Sequence, residues 1–235
     1  MHGNRHLLHG DIMYNLATTP ILTDWQKDLL SGFFASPISK EFYLTGGTAL
    51  SAFYFAHRES KDFDLFSSGP FDMQRMSSTW KEIADRCGAA ISEKVSTQTY
   101  KELYITDKTG SIQRIDIVRE QSVHFGKLAM IDGIPVDSLE NIGSNKITAI
   151  FNRLEPKDYI DLYCITHESS WTFEQLFPFA QKKDLGLDPF LFAYSLSNVA
   201  KIDVWPMLRK PIKPKHIQQY FEDLSRTVLT ALKPS

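Results

Sequence analysis

Cysteine is close to absent from this chain. Cys87 and Cys164 are the only two, far apart and outside any metal-type spacing, which excludes a disulfide-stapled scaffold and a zinc ribbon. Both are expected as small buried residues. No apolar run approaches the roughly 20 residues a membrane helix needs, and Met1-His2-Gly3-Asn4-Arg5-His6 lacks the apolar stretch of a signal peptide. A cytoplasmic protein without a membrane partner is therefore expected. Neither sign of charge dominates: 26 Lys and Arg face 28 Asp and Glu, so no chain-wide field draws the protein to nucleic acid. Repeats, low-complexity tracts and His/Cys clusters are missing too. His2, His6 and His9 fall in a start expected to be mobile and receive no role. What remains, 43% hydrophobic and 23% charged over 235 residues, is ordinary globular composition with length enough for two closely packed parts.

Against that background one stretch stands out. Gly46-Gly47-Thr48-Ala49-Leu50-Ser51 follows the short apolar run Phe42, Tyr43, Leu44, which suits a buried strand. Two glycines let the backbone turn tightly and approach an anion, and Thr48 can cap the next helix or touch a phosphate. One helix later comes His57-Arg58-Glu59-Ser60-Lys61-Asp62-Phe63-Asp64-Leu65-Phe66. On a strand, Asp62 and Asp64 point to one side while Phe63 and Leu65 pack on the other. Two like charges so close repel unless a cation sits between them, and Mg²⁺ or Mn²⁺ with oxygen ligands would bridge them to nucleotide phosphates. Arg58 can contact a phosphate or pair with an acid, and the sequence leaves both open.

Helical spacing is expected over residues 21–36, 48–57 and 71–87, the last closed by Gly88, with Phe53, Tyr54 and Phe55 as core. Three β-prone runs follow at about 90–98, 100–106 and 111–118, the last two joined by the turn Asp107-Lys108-Thr109-Gly110. In the third run Asp116 sits between Ile115 and Ile117, so it faces away from its apolar neighbours. Alone it is an ordinary outward Asp; beside an Asp62/Asp64 strand it becomes the expected third carboxylate of a metal site. From Ser138 the pattern turns helical, and the domain boundary is placed there, residues 1–137 before it and 138–235 after.

In the helical half, Lys146 and Arg153 share one helix face, and Asp158 and Asp161 share another after Pro156. Lys146 reads either as a solvated helix residue or as a point charge for a triphosphate. The two acids read as metal or substrate ligands, or as partners of Arg153 or Lys157. From Lys201 onward seven basic residues face three acidic ones, a local excess read as a solvated tail in preference to an RNA-attracting patch.

Taken together, Gly46-Gly47-Thr48-Ala49-Leu50, His57-Arg58 with Ser60, Asp62, Asp64, Leu65 and Phe66, and Lys146 through Asp161-Leu162 resemble the AbiEii/AbiGii family of nucleotidyltransferase-like toxins, within the DNA polymerase β-type superfamily. The resemblance covers roughly residues 40–165. It implies an α+β fold: a small mixed β-sheet flanked by helices, followed by a C-terminal helical domain closing the cleft. It further implies Asp62, Asp64 and, less directly, Asp116 as metal ligands. Gly46, Gly47, Thr48, Arg58, Ser60 and Lys146 would lie at the nucleotide, and Lys146 and Asp161 would be further active-site residues. Members are typically the toxin half of a bacterial toxin-antitoxin or phage-defence pair, and some transfer nucleotides to tRNA. NTP as substrate, an RNA, tRNA or protein acceptor and a cognate antitoxin are the partners implied.

The expected activity is metal-dependent transfer of an NMP from an NTP to an acceptor hydroxyl. A phosphohydrolase built on Asp-x-Asp is weakened by Leu65-Phe66 after the acids and by a glycine turn before them. A catalytically inactive nucleotide- or RNA-binding protein of the same fold is the remaining alternative.

Overall fold

The computed structural model describes residues 13–232; His2, His6 and His9 lie outside the described residues. These form two compact units, one of residues 13–56 and 60–138, the other of residues 57–59 and 139–232.

The first unit is built on a seven-stranded sheet. Its strands are β1 (Phe42–Thr45), β2 (Asp62–Ser67), β3 (Ala90–Ser96), β4 (Tyr100–Thr106), β5 (Ile112–Arg119), β6 (Ala129–Ile131) and β7 (Ile134–Val136), in the order β3-β4-β5-β2-β1-β7-β6. The β2–β5 and β1–β7 pairs are parallel and the others antiparallel. Side-chain alternation decides which way each strand faces. Phe63 and Leu65 of β2, Leu103 and Ile105 of β4, and Ile115 and Ile117 of β5 are buried, while Asp62, Asp64, Arg114 and Asp116 between them keep partial exposure. A slip of one residue in any of these strands would send its acids into the core, so the register is strongly fixed.

Helices cover the apolar face. α1 (Asp24–Phe34) starts at a Thr23/Gln26 capping box, ahead of the short α2 (Gly46–Ala49), and α3 (Met73–Arg86) starts at Asp72, whose carboxylate accepts from the N–H groups of Gln74 and Arg75. Phe33 of α1 stacks on Trp80 of α3 at 4.9 Å and meets Phe42 of β1 edge-on at 5.7 Å. Lys101 of β4, on the same side of the sheet as Ile117, reaches α3 by donating to Ser77 at 2.8 Å. Both large helices thus lie on one face, and the acids of β2 and β5 occupy the other. Gly88 ends α3 as expected, in the left-handed conformation at φ +63°.

Three details differ from the sequence reading. The helix expected over 48–57 is α2 followed by a wider π-helical turn at Leu50–Phe55, whose six residues are all buried. The wide turn leaves the Phe53 carbonyl to accept from the backbone of Met13 and Tyr14, which satisfies it outside the helix. The strands β6 and β7 were not expected: three residues each are too short to display alternation, and their signal is the Asp132-Gly133 turn, with both φ values positive. Cys87, expected buried, is half-exposed beyond the end of α3, whereas Cys164 is buried.

The second unit is helical: α4 (Leu139–Asn152), α5 (Pro156–Glu168), α6 (Phe173–Lys183), α7 (Pro189–Ser197) and α8 (Pro214–Ala231). Proline opens α5, α7 and α8, where its missing N–H costs nothing. Gly143 lets α4 approach α6, since a Cβ there would stand 2.8 Å from a Leu176 methyl. The strip 57–59 pairs with 207–210 through an Arg58–Leu208 bridge and two N–H groups donating to the His57 carbonyl. In the basic C-terminal segment, Arg209 pairs with Glu59, Lys210 with Glu168, and Lys201 lies over the Tyr194 ring. No described helix is long and apolar enough to cross a membrane.

Candidate active site

The parallel pairing of β2 with β5 sets Asp64 directly beside Asp116 and Asp62 beside Arg114. Residues opposite one another in neighbouring strands share a face, as do residues two apart in one strand. Asp62, Asp64, Arg114 and Asp116 therefore form a two-by-two block of charges on the face opposite α1 and α3. Asp62 and Asp64 are there because β2 alternates; Asp116 joins them because the β2–β5 register admits no other partner for Asp64.

Gly46 closes one side of this block. It follows β1 at φ +70°, and a Cβ built on it would lie 2.0 Å from Asp64 Oδ2. The Asp64 carboxylate thus rests on the glycine backbone, a position closed to any other residue. Gly47 beside it is buried. Thr48 neither caps α2 nor faces outward. Its hydroxyl is buried with Ser60 Oγ at 2.9 Å and the Asp62 carbonyl, fastening the glycine turn to the start of β2. The N-cap position belongs instead to Thr45, whose hydroxyl donates to the buried Asp137.

Asp116 is held by its neighbours. Tyr100 donates to Oδ1 at 2.8 Å, and Arg114 grips both oxygens, Nε at 3.1 Å and Nη2 at 3.0 Å. Burial pushes its carboxyl above the ordinary carboxylate value, with the Asp62 charge adding to the rise and Tyr100 and Arg114 working against it. Oxygen-only donors on one face suit a hard divalent ion, so the residues fit Mg²⁺ or Mn²⁺ in kind. As the side chains stand, no three His, Cys, Asp or Glu groups among the described residues converge closely enough to ligate one.

Arg58, Lys146 and Asp161 belong to the second unit and are brought together there. Asp161 is completely buried and accepts from Arg58 Nε at 2.6 Å and Nη2 at 2.7 Å, from Lys146 Nζ at 2.7 Å and from His57 Nε2 at 2.8 Å. Lys146 also donates to Asp158 at 2.8 Å, and Arg153 Nε reaches the other Asp158 oxygen at 2.8 Å. Burial alone would raise the Asp161 carboxyl, but Arg58 and Lys146 hold it well below the ordinary range. Burial would likewise lower Lys146, and its two carboxylates raise it instead. Arg153, with half its side chain exposed, carries this network to the surface. Of the two options open for Arg58, pairing with an acid is the one observed.

The nucleotide-site candidates thus fall into two groups: Gly46, Gly47, Thr48, Ser60, Asp62, Asp64 and Asp116 in the first unit, Arg58, Lys146 and Asp161 in the second. Sequence reasoning missed Tyr100, Glu102 and Arg114. A signal for them existed. The Asp107–Gly110 turn fixes the β4–β5 register, and counting back from it places Glu102 opposite Asp116 and Tyr104 opposite Arg114.

Comparison with known proteins bears on this arrangement. The family model described as "Nucleotidyl transferase AbiEii toxin, Type IV TA system" matches residues 28–229. An uncharacterised Aquifex aeolicus (strain VF5) protein, aq_aa25, is 25% identical over 181 residues, 73% of this chain and 80% of its own. The crystal structure of JHP933 from Helicobacter pylori aligns over 88% of this chain and 90% of its own, with a TM-score of 0.56 and 19% identity. A second Helicobacter pylori protein, provisionally described as a nucleotidyltransferase, aligns over 91% of this chain and 100% of its own, with a TM-score of 0.59 and 18% identity. The two solved structures show a shared fold.

Proposed function

The chain belongs to the AbiEii nucleotidyl transferase toxin family, and from that premise we propose that it transfers an NMP from an NTP to the hydroxyl of an RNA, tRNA or protein acceptor. The observation carrying this reading is the register that sets Asp64 beside Asp116, with Asp62 on the same face and Gly46 against Asp64. A protein without such chemistry gains nothing from three carboxylates gathered on one sheet face.

Asp62, Asp64 and Asp116 would hold divalent Mg²⁺ or Mn²⁺. When bound, the ion neutralises the triphosphate and the charge that develops at the α-phosphorus. The Gly46-Gly47 turn would offer backbone N–H groups to a phosphate beside the Asp64 carboxylate. In the transfer, the acceptor oxygen bonds to the α-phosphorus as the bond from that phosphorus to its bridging oxygen breaks, and pyrophosphate leaves. Asp116, its carboxyl raised by burial, takes the acceptor's proton. In the second unit, Asp161 is a positioning group: both of its oxygens are committed to Arg58, Lys146 and His57, and it fixes those cations in place. As a member of a toxin family, the protein is proposed to be the toxin of a bacterial toxin-antitoxin or phage-defence pair in the cytoplasm, with a cognate antitoxin as its partner.

A second reading, nucleotide binding without transfer, draws on the Arg114 fork that occupies Asp116. The position of Asp116 directly opposite Asp64 weighs against it. The test is incubation with each α-labelled NTP, Mg²⁺ and total bacterial RNA or lysate, beside Asp62→Ala/Asp64→Ala. Label reaching a macromolecule only with the acids intact supports transfer. Metal-dependent NTP binding with no labelled product from any acceptor class favours the second reading.

A further inference from the structure

Arg114 is the one cation in the charge block of β2 and β5. It stands opposite Asp62 and two residues from Asp116, and its fork holds both Asp116 oxygens at 3.0 and 3.1 Å. Unlike Arg58 and Lys146, which are sealed among carboxylates, its side chain is 37% exposed. An ion pair open to water is weak and readily exchanged. A second acceptor is at hand: Glu102 of β4 sits opposite Asp116 with Oε2 3.8 Å from Arg114 Nη2. Glu102 is itself steadied by the hydroxyls of Tyr100 at 3.2 Å and Tyr104. Tyr100 also bonds Asp116, so one phenol touches both carboxylates between which the guanidinium can move.

We propose that Arg114 is an exchangeable internal counter-ion: it neutralises Asp116 until a divalent cation arrives, then shifts its pairing to Glu102 and leaves Asp116 to the ion. The inference rests on the reading of Asp62, Asp64 and Asp116 as cation ligands. With Arg114 in place, one carboxylate on this face is neutralised by the fork on Asp116. The guanidinium thereby prevents self-repulsion in the ion-free protein, at the expense of cation affinity, because an approaching ion must first displace it. Glu102 keeps the displaced arginine at the rim of the block, where its outer edge can meet an anion.

Mn²⁺ titration of the full chain, followed by electron paramagnetic resonance without nucleotide, tests this directly. Arg114→Gln should bind Mn²⁺ about ten-fold more tightly than the unaltered chain, as removal of one competing positive charge near the ion requires. Arg114→Lys keeps the charge without the fork and should fall between them, and Asp64→Ala should abolish binding. Unchanged or weaker binding in Arg114→Gln, with the unaltered chain still binding through Asp64, overturns the exchange and leaves the metal reading intact. Absence of Mn²⁺ binding in every form overturns both. If Arg114→Gln does not fold, as judged by circular dichroism, Arg114→Lys decides alone: tighter binding supports the proposal, equal or weaker binding overturns it.

Discussion

Asp64 rests its carboxylate on the backbone of Gly46. That contact joins the two sequence motifs into one physical object, because the glycine's missing Cβ is the space the carboxylate fills. The glycine also holds φ +70°, a conformation that L side chains rarely adopt. Steric need and backbone need coincide at one residue.

Gly46→Ala should therefore be the most informative single methyl group in the protein. The added carbon would strike Asp64 Oδ2, and the left-handed conformation adds about 1–2 kcal/mol of strain. Asp64 must move out of register with Asp116. The expected outcome is nucleotidyl transfer lowered by at least about 100-fold, with a chain that still folds but melts several degrees lower. Calorimetry beside a transfer assay checks both. Full activity in this variant would show that Asp64 need not stand where it does.

Asp64→Asn and Asp116→Asn separate chemistry from stability. Each removes one negative charge from a block where three carboxylates share a face, so repulsion in the folded protein falls. Transfer should drop by at least about 100-fold in both, the scale expected when a group needed at the reacting centre is lost. The unfolding midpoints should stay at or above that of the unaltered chain. A large loss of stability in Asp116→Asn would instead make the Arg114 pair structural.

The sequence carried the strands of this block and the face on which their acids lie, because a period of two survives in Asp62-Phe63-Asp64-Leu65 and in Arg114-Ile115-Asp116-Ile117. It could not carry the parallel β2–β5 register, which is set by a crossover and not by a turn, and so Asp116 rested on expectation alone. The Asp161 cluster was legible in its members but not in its pairing. Arg58 and Asp161 are separated by 103 positions, and no local pattern says which of several cations a buried carboxylate will meet. The π-helical turn left no trace because a segment buried on every side has no exposed polar stripe to show its pitch.

Asp161→Asn should behave in the opposite way to Asp64→Asn. Its carboxylate is the shared acceptor for Arg58, Lys146 and His57, all buried, so neutralising it removes the charge that the Arg58 fork and the Lys146 ammonium both meet. Breaking a buried ion cluster in this manner costs about 3–5 kcal/mol. Chemical unfolding should show that loss, and any fall in transfer should be accompanied by it. Stability equal to the original with activity gone would give Asp161 a direct chemical role instead of a positioning one.

His57 supplies the pH dependence of the same cluster. Burial and the nearby Arg58 lower its pKa from the ordinary 6.5, outweighing the pull of Asp161, so the ring is neutral in the folded protein and donates from Nε2 to Asp161. In the unfolded chain the ring takes up a proton near 6.5, so below that point the unfolded state holds more protons than the folded one. The stabilisation is complete above 6.5 and is lost as pH falls from there through the depressed folded value, with a limiting slope of about 1.4 kcal/mol per pH unit for one proton. Asp158 and Asp161 are depressed too, but their losses begin only once pH enters the ordinary carboxylate range, well below the His57 window. Asp116, raised from its ordinary value, has the opposite sign and so adds stability as pH falls instead of removing it. Urea unfolding between about pH 7 and pH 5 should therefore show falling stability in the original chain, because one histidine stays neutral there only when folded. In His57→Gln, whose amide can still donate to Asp161, the slope should flatten. A slope unchanged by that substitution would assign the acid sensitivity to some other group.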